Sequence, residues 1–265
     1  MTSPVSSSTS FPLPIGRIPV VEVQPVKAEG RWPAKGAVGE SIPISATVFR
    51  EGHDAVNATA VLIDPDGEIH STAPMRLIDP GFSRWEGRVV PDREGEWSFR
   101  VEGWSDPYET WKHAAKLKIP AGVDVELMLT EGALFFDRAA ERDLPANKRT
   151  VLRQAAAALR QTKLTAAQRL EAATSDVVQK TLYDFPVREL ISSSPTYPLR
   201  VCRALALAGA WYEIFPRSHG ARFIKKTQRW KSGTLRTAAK SLDRVAELGF
   251  DVIYLTPIHP IGTTH

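Results

Sequence analysis

Two side chains able to do chemistry stand just beyond short apolar runs. Arg217 follows Trp211-Tyr212-Glu213-Ile214-Phe215, His259 follows Val252-Ile253-Tyr254-Leu255, and His265 is the last residue. A guanidinium in such a place orders the mouth of a site or pairs with a later acid. An imidazole there hydrogen-bonds a ligand or orders its own loop. Arg217 also opens the most basic window of the chain. Nine Lys/Arg and one acid, Asp243, lie between 217 and 244, a net +8 within a total of +4, so the remainder carries −4. Such a surface attracts an anion, a sugar phosphate or a nucleic acid, or is simply a solvated loop and helix face. Glu213 and Tyr212 lie within their run, where layer packing is the better reading.

Other chemistries find little support. The six histidines are dispersed and never stand at ligand spacing, and Cys202 is the single cysteine. A metal site, a disulfide framework and a bound cofactor are therefore not expected, and a reducing compartment fits. Trp85, Trp97, Trp104 and Trp111 offer a sugar-stacking platform, but alternation places Trp97 and Trp85 in a core instead. The first ten residues have no basic or apolar signal region, and the run Ala204–Tyr212 is too short to span a bilayer. A cytoplasmic protein with no membrane partner is expected.

The elements that must position Arg217 and His259 are legible at the end of the chain. An aromatic, β-branched run at 211–215 and an apolar run at 252–256 read as strands. The second is apolar on both faces, as in a buried parallel sheet. Between them Leu235, Ala238, Ala239, Leu242, Val245 and Ala246 share one face of a helix over 234–248. Gly249 stands where a left-handed residue closes a helix, with Phe250 covering the end. Together they make one βαβ unit.

Upstream the text is different. Residues 1–14 are Ser/Pro-rich and read as a disordered tail. From 15 to 120 short strand-like runs recur: Ile42–Val48, Trp85–Val89, Trp97–Val101 and Trp111–Ile119 alternate with period two, and Ala58–Ile63 is an apolar run. Turn signals at Asp64-Pro65-Asp66-Gly67 and Pro91–Gly95 separate some of them. Pro43 predicts an edge strand or a strand start. With 43% hydrophobic and 24% charged residues, this reads as an immunoglobulin-like β-sandwich. Over 121–195 the period becomes helical. Leu127, Met128, Phe135 and Ala139 share one stripe, and Leu152, Ala155, Ala156 and Leu159 another. Thr165-Ala166-Ala167-Gln168 is a capping box opening a third helix with Leu170, Ala173 and Val177 inward. Residues 196–210 are a return strand and linker.

These motifs carry a resemblance. Trp211 to Ser218, then Gly233-Thr234-Leu235, then Glu247 to Ile258 resemble strand one, helix one and strand two of an α-amylase (glycoside hydrolase family 13) barrel. Pro257-Ile258-His259-Pro260-Ile261-Gly262 tightens the match. With Ala46 to Asp54 and Ile119 to Leu129, four separated motifs fall in the order of the α-1,4-glucan:maltose-1-phosphate maltosyltransferases. The resemblance covers about residues 15–265. It implies a multidomain protein: a β-sandwich with an inserted helical segment, then residues 211–265 as the start of a (β/α)8 barrel whose sites lie at the C-terminal strand ends. It also implies a homodimer through sandwich and insertion, and no nucleic-acid partner.

The activity it implies moves maltosyl units from α-maltose 1-phosphate to the non-reducing end of an α-1,4-glucan by retaining double displacement. The aspartate nucleophile and glutamate acid/base stand about 5–5.5 Å apart in such enzymes, on strands four and five. A donor-site lysine follows the His-Pro-Ile-Gly segment. All three fall beyond His265, so no catalytic residue is expected in this chain, and the chain alone is expected to be inactive. Arg217, His259 and His265 are its substrate-binding candidates. The alternative is a non-catalytic glucan-binding or assembly module, which glucan retention by residues 1–210 alone would favour. A nucleic-acid binder resting on 217–244 would need salt-dependent retention on nucleic acid.

Overall fold

The computed structural model describes residues 17–259; the 1–14 tail and His265 lie outside them. Eight strands come first: β1 (Val20–Gln24), β2 (Ala34–Ala37), β3 (Ile42–Val48), β4 (Val56–Ile63), β5 (Ile69–Pro74), β6 (Arg76–Asp79), β7 (Arg84–Val89) and β8 (Gly95–Ser105). Five helices follow: α1 (Pro107–Lys118), α2 (Val125–Glu141), α3 (Ala146–Leu159), α4 (Ala166–Ala173) and α5 (Asp176–Asp184). Strands β9 (Glu189–Ser193) and β10 (Tyr197–Cys202) then return to the sheet.

One sheet has the order β1-β3-β7-β6. The other has the order β2-β10-β8-β4-β5, with β9 also pairing β8. β10 lies antiparallel to β8 and parallel to β2. Both strands that follow the helices therefore pair with the strand that precedes them, and the helices are an excursion out of one sheet. The two sheets share a core of Ile44, Ala46, Val48, Leu62, Phe99, Val101 and Leu199, among others. Fully burying a side chain such as Phe99 contributes about 1.5–3 kcal/mol. Pro43 is the second residue of β3 and lies beyond the last β1 pair, Gln24↔Ser45, so its missing donor costs the ladder nothing on that side. Asp64 makes the expected turn, accepting from the Asp66 and Glu68 amides, with Gly67 at φ +88°.

Trp85, Trp97, Trp104 and Trp111 are buried, while Trp32 is exposed. Each buried indole N–H has a partner: Trp85 donates to the Val48 carbonyl, Trp97 to the Arg93 carbonyl, Trp104 to the Thr59 hydroxyl and Trp111 to the Met128 carbonyl. They are core residues, and no sugar platform is built from them.

The period-two reading of Trp111–Ile119 is corrected: these residues are in α1 and its C-cap. Trp111, Ala115 and Ile119 are also four apart, and they bury one helical face while His113 and Leu117 stay exposed. The start signal is upstream, where the Asp106 carboxylate caps the Glu109 amide and Pro107 fits the first turn. The helical run thus begins at Pro107 rather than 121, and 189–193 is strand. Thr165 and Gln168 do form the capping box. Val177, however, lies on α5 and is exposed, because α4 ends at Ala173 and Val178 turns inward instead. The helices have their own core, in which Tyr108, Trp111, Phe135 and Phe136 pack edge and face.

The remaining strands are β11 (Trp211–Ile214), β12 (Arg222–Ile224) and β13 (Arg229–Lys231). Helices α6 (Leu235–Ala239) and α7 (Leu242–Glu247) follow, then β14 (Val252–Leu255). The single helix expected over 234–248 is two. They break at Lys240–Ser241, where the Ser241 hydroxyl donates to the Ala238 carbonyl and meets the His219 ring. Only Ala238 and Val245 of the expected stripe are buried. The end at Gly249 is as expected: φ is +84°, Phe250 N–H donates to the Val245 carbonyl and Gly249 N–H to the Ala246 carbonyl.

Candidate functional site

β11 and β14 are parallel, in the register Trp211↔Val252 to Ile214↔Leu255. Asp251 fixes their leading ends. Its carboxylate accepts from the Ala210 amide at 2.9 Å, and its own amide donates to the Ala210 carbonyl at 2.9 Å. Tyr212 packs edge-on against Phe250 at 5.0 Å. Glu213 is exposed rather than packed, and Tyr254 and Leu255 are partly exposed. Among the described residues each of these two strands has only the other for a neighbour, so one edge of each is open, and of the run read as buried on both faces Val252 and Ile253 are only half-buried.

At the trailing ends of the two strands the chain opens a cleft of 440 Å³, within the size range of small-ligand sites. Phe215 and Arg217 line it from just after β11, Pro257 and His259 from just after β14, and Gly233 and Thr234 from the start of α6. The structure therefore brings Arg217 and His259 into one cavity, although 42 positions separate them in sequence. His265 lies outside the described residues. Arg217 has no ion-pair partner among the described residues, so the structural pairing with a later acid is not seen there.

The cleft wall is held by a contact network that the sequence did not announce. Gly233 N–H donates to the Arg217 carbonyl at 2.7 Å, and a Cβ on Gly233 would lie 2.6 Å from the Pro216 carbonyl oxygen. The Thr237 hydroxyl donates to the His219 carbonyl at 2.6 Å, while the His219 ring sits 3.2 Å from the Ser241 hydroxyl. His219 was read only as a dispersed histidine; here it is the residue around which the 215–220 loop and both short helices meet. The signal that could have marked it is the Gly233-Thr234 start of α6, whose cap needs the preceding loop close by. Thr234 and Thr237 cap each other reciprocally.

Chemically, this cleft holds one fixed positive charge, one imidazole, the hydroxyls of Thr234 and Thr256, and backbone groups. No carboxylate is among its lining residues. Such a set can bind an anion and orient hydroxyls, but it has no carboxylate to act as nucleophile or acid in glycosyl chemistry. No group of three potential metal ligands occurs among the described residues, and no helix among them is long and apolar enough to cross a membrane.

Residues 16–203 match the family described as α-1,4-glucan:maltose-1-phosphate maltosyltransferase, domain N/S. Two Streptomyces coelicolor proteins named α-1,4-glucan:maltose-1-phosphate maltosyltransferase 2 and 1 are each 51% identical to the chain. The identities extend over 251 and 263 residues, 95% and 98% of this chain but 37% and 38% of those proteins. The Mycobacterium tuberculosis protein of that name is 39% identical over 292 aligned positions, 98% of this chain and 40% of its own. The chain spans about two-fifths of the length of these relatives and corresponds to an N-terminal portion. It belongs to the α-1,4-glucan:maltose-1-phosphate maltosyltransferase family.

Proposed function

We propose that these residues form the front of a retaining glycosyltransferase that moves maltosyl units from α-maltose 1-phosphate to the non-reducing ends of α-1,4-glucans. In this reading the two sheets are an immunoglobulin-like sandwich, the helices its insertion, and β11–α6/α7–β14 the opening of a (β/α)8 barrel. The observation that carries it is the cleft at the trailing ends of two parallel strands, where barrel enzymes place their sites, with Arg217 facing it. Arg217 supplies charge to the donor phosphate, and His259 orients a sugar hydroxyl. The carboxylate pair is contributed by later barrel strands, so the 265 residues alone transfer nothing. Exposed Leu117, Leu127 and Leu134 on the helical segment support homodimer formation there, in a cytoplasmic enzyme.

The test uses a chimera in which this chain replaces the matching portion of the Streptomyces coelicolor maltosyltransferase 1. Arg217→Ala is expected to raise KM for maltose 1-phosphate about tenfold, the cost of one charge-assisted hydrogen bond. His259→Ala is expected to lower kcat/KM less. Unchanged kinetics in both variants would contradict the assignment. The alternative, a glucan-binding module without chemistry, is favoured if residues 1–210 alone are retarded in glucan gels.

A further inference from the structure

Between the two cleft-lining segments Phe215–Arg217 and Gly233–Leu235 the chain makes a two-stranded hairpin, β12–β13, with the register Arg222↔Lys231, Phe223↔Trp230 and Ile224↔Arg229. Its base is fixed to the cleft wall by the Gly233-to-Arg217 hydrogen bond. Successive strand residues point to opposite faces. Phe223 and Trp230 therefore occupy one face, and Arg222, Ile224, Arg229 and Lys231 the other. The two rings meet edge-on, 5.7 Å apart at 61°. Trp230 is nonetheless 72% exposed and Phe223 44%. An indole held by one neighbouring ring and left mostly open is an unusual thing to expose on strands of three residues.

We propose that the Phe223–Trp230 pair is a stacking platform for the glucosyl rings of an α-1,4-glucan chain, set beside the cleft by the hairpin base. The separation of rings from cations argues for a neutral ligand. Single-stranded nucleic acid is held by bases stacking on aromatic rings within the same positively charged groove that tracks the phosphates. Here the charges of Arg222, Arg229 and Lys231 lie on the opposite face. A sugar ring offers a flat C–H face to an indole and needs no charge there. The position suits a polymer, because the hairpin joins the two segments that line the cleft. The biological use of the platform rests on the reading of that cleft as a glucan-elongating site; the binding itself does not.

The full 265-residue chain is run in native gels cast with and without glycogen, and mobility against glycogen concentration gives an apparent Kd. Wild type is expected to be retarded. Trp230→Ala is expected to bind about tenfold more weakly, the loss of one aromatic contact. Phe223→Leu, which keeps an apolar partner in the strand, is expected to weaken binding by a smaller factor. Trp32→Ala, at another exposed tryptophan (64%), is expected to migrate as wild type. No retardation of wild type, equal retardation of Trp230→Ala, or equal loss in Trp32→Ala would overturn the proposal. So would retention on oligo(dT) without retardation by glycogen, which would assign the hairpin to nucleic acid. None of these measurements involves turnover, so their failure leaves the reading of the cleft standing.

Discussion

The backbone at Gly233 passes so close to His219 that a Cβ there would overlap the His219 carbonyl oxygen. The neighbouring atoms are backbone, which cannot swing aside as a side chain can. Gly233→Ala must therefore push the 215–220 loop away from α6, at a cost of about 1–3 kcal/mol. Tryptic cleavage at Lys225, Lys226 and Arg229 of the hairpin is expected to accelerate roughly tenfold, the kinetic equivalent of about 1.4 kcal/mol when opening is fast. Cleavage at the wild-type rate would show that the wall does not depend on this approach.

A second close approach holds the helices. Gly132 lies in the middle of α2, where an alanine would ordinarily gain about 1 kcal/mol of helix propensity. A Cβ at that position would sit inside the Trp111 indole, 2.8 Å from its nitrogen. That indole is also fixed by its bond to the Met128 carbonyl. Overpacking at about 1–3 kcal/mol outweighs the propensity gain, so Gly132→Ala is expected to lower the urea midpoint. A raised midpoint would mean that α1 and α2 can slide apart freely.

Asp106 gives a pH dependence with a definite sign. Burial pushes its carboxyl above the ordinary value, against the lowering effect of hydrogen bonds from the Glu109 amide and the Asn57 side chain. The folded state then binds a proton more tightly than the unfolded one, so stability falls as pH rises from the ordinary carboxylate range, about 4, through the raised value. The contribution is complete below that window and lost above it. Asp106→Asn keeps the helix cap without the buried charge. It is expected to be more stable than wild type at pH 7, with the difference shrinking near pH 4. Asp106→Ala is expected to lose about 1 kcal/mol at neutral pH through the cap alone. Urea titrations at the two pH values check both; a wild type that outlasts Asp106→Asn at pH 7 contradicts the assignment.

The features legible in the sequence were those carried by local chemistry. The Asp64–Gly67 turn, the Thr165–Gln168 capping box and the Gly249 helix end all formed where their residue types require. So did the strand–helix–strand order that brings Arg217 and His259 to one end. Trp111, Ala115 and Ile119 were misread because a spacing of four satisfies both periods, and only the Asp106-Pro107 start separates them. The break at Ser241 was invisible because one of the contacts made there is with His219, 22 positions away in sequence. His219 itself was missed because its carbonyl, common to every residue, carries part of its role.

The claim that these residues open a maltosyltransferase barrel is tested most directly by maltosyl transfer from α-maltose 1-phosphate to maltohexaose. The measurement compares the 265-residue chain alone with the chimera that joins it to the remainder of the Streptomyces coelicolor protein. The expected result is phosphate release and acceptor elongation by two glucose units in the chimera, and neither with the chain alone. A folded but inactive chimera, or turnover by the chain alone, would contradict the account.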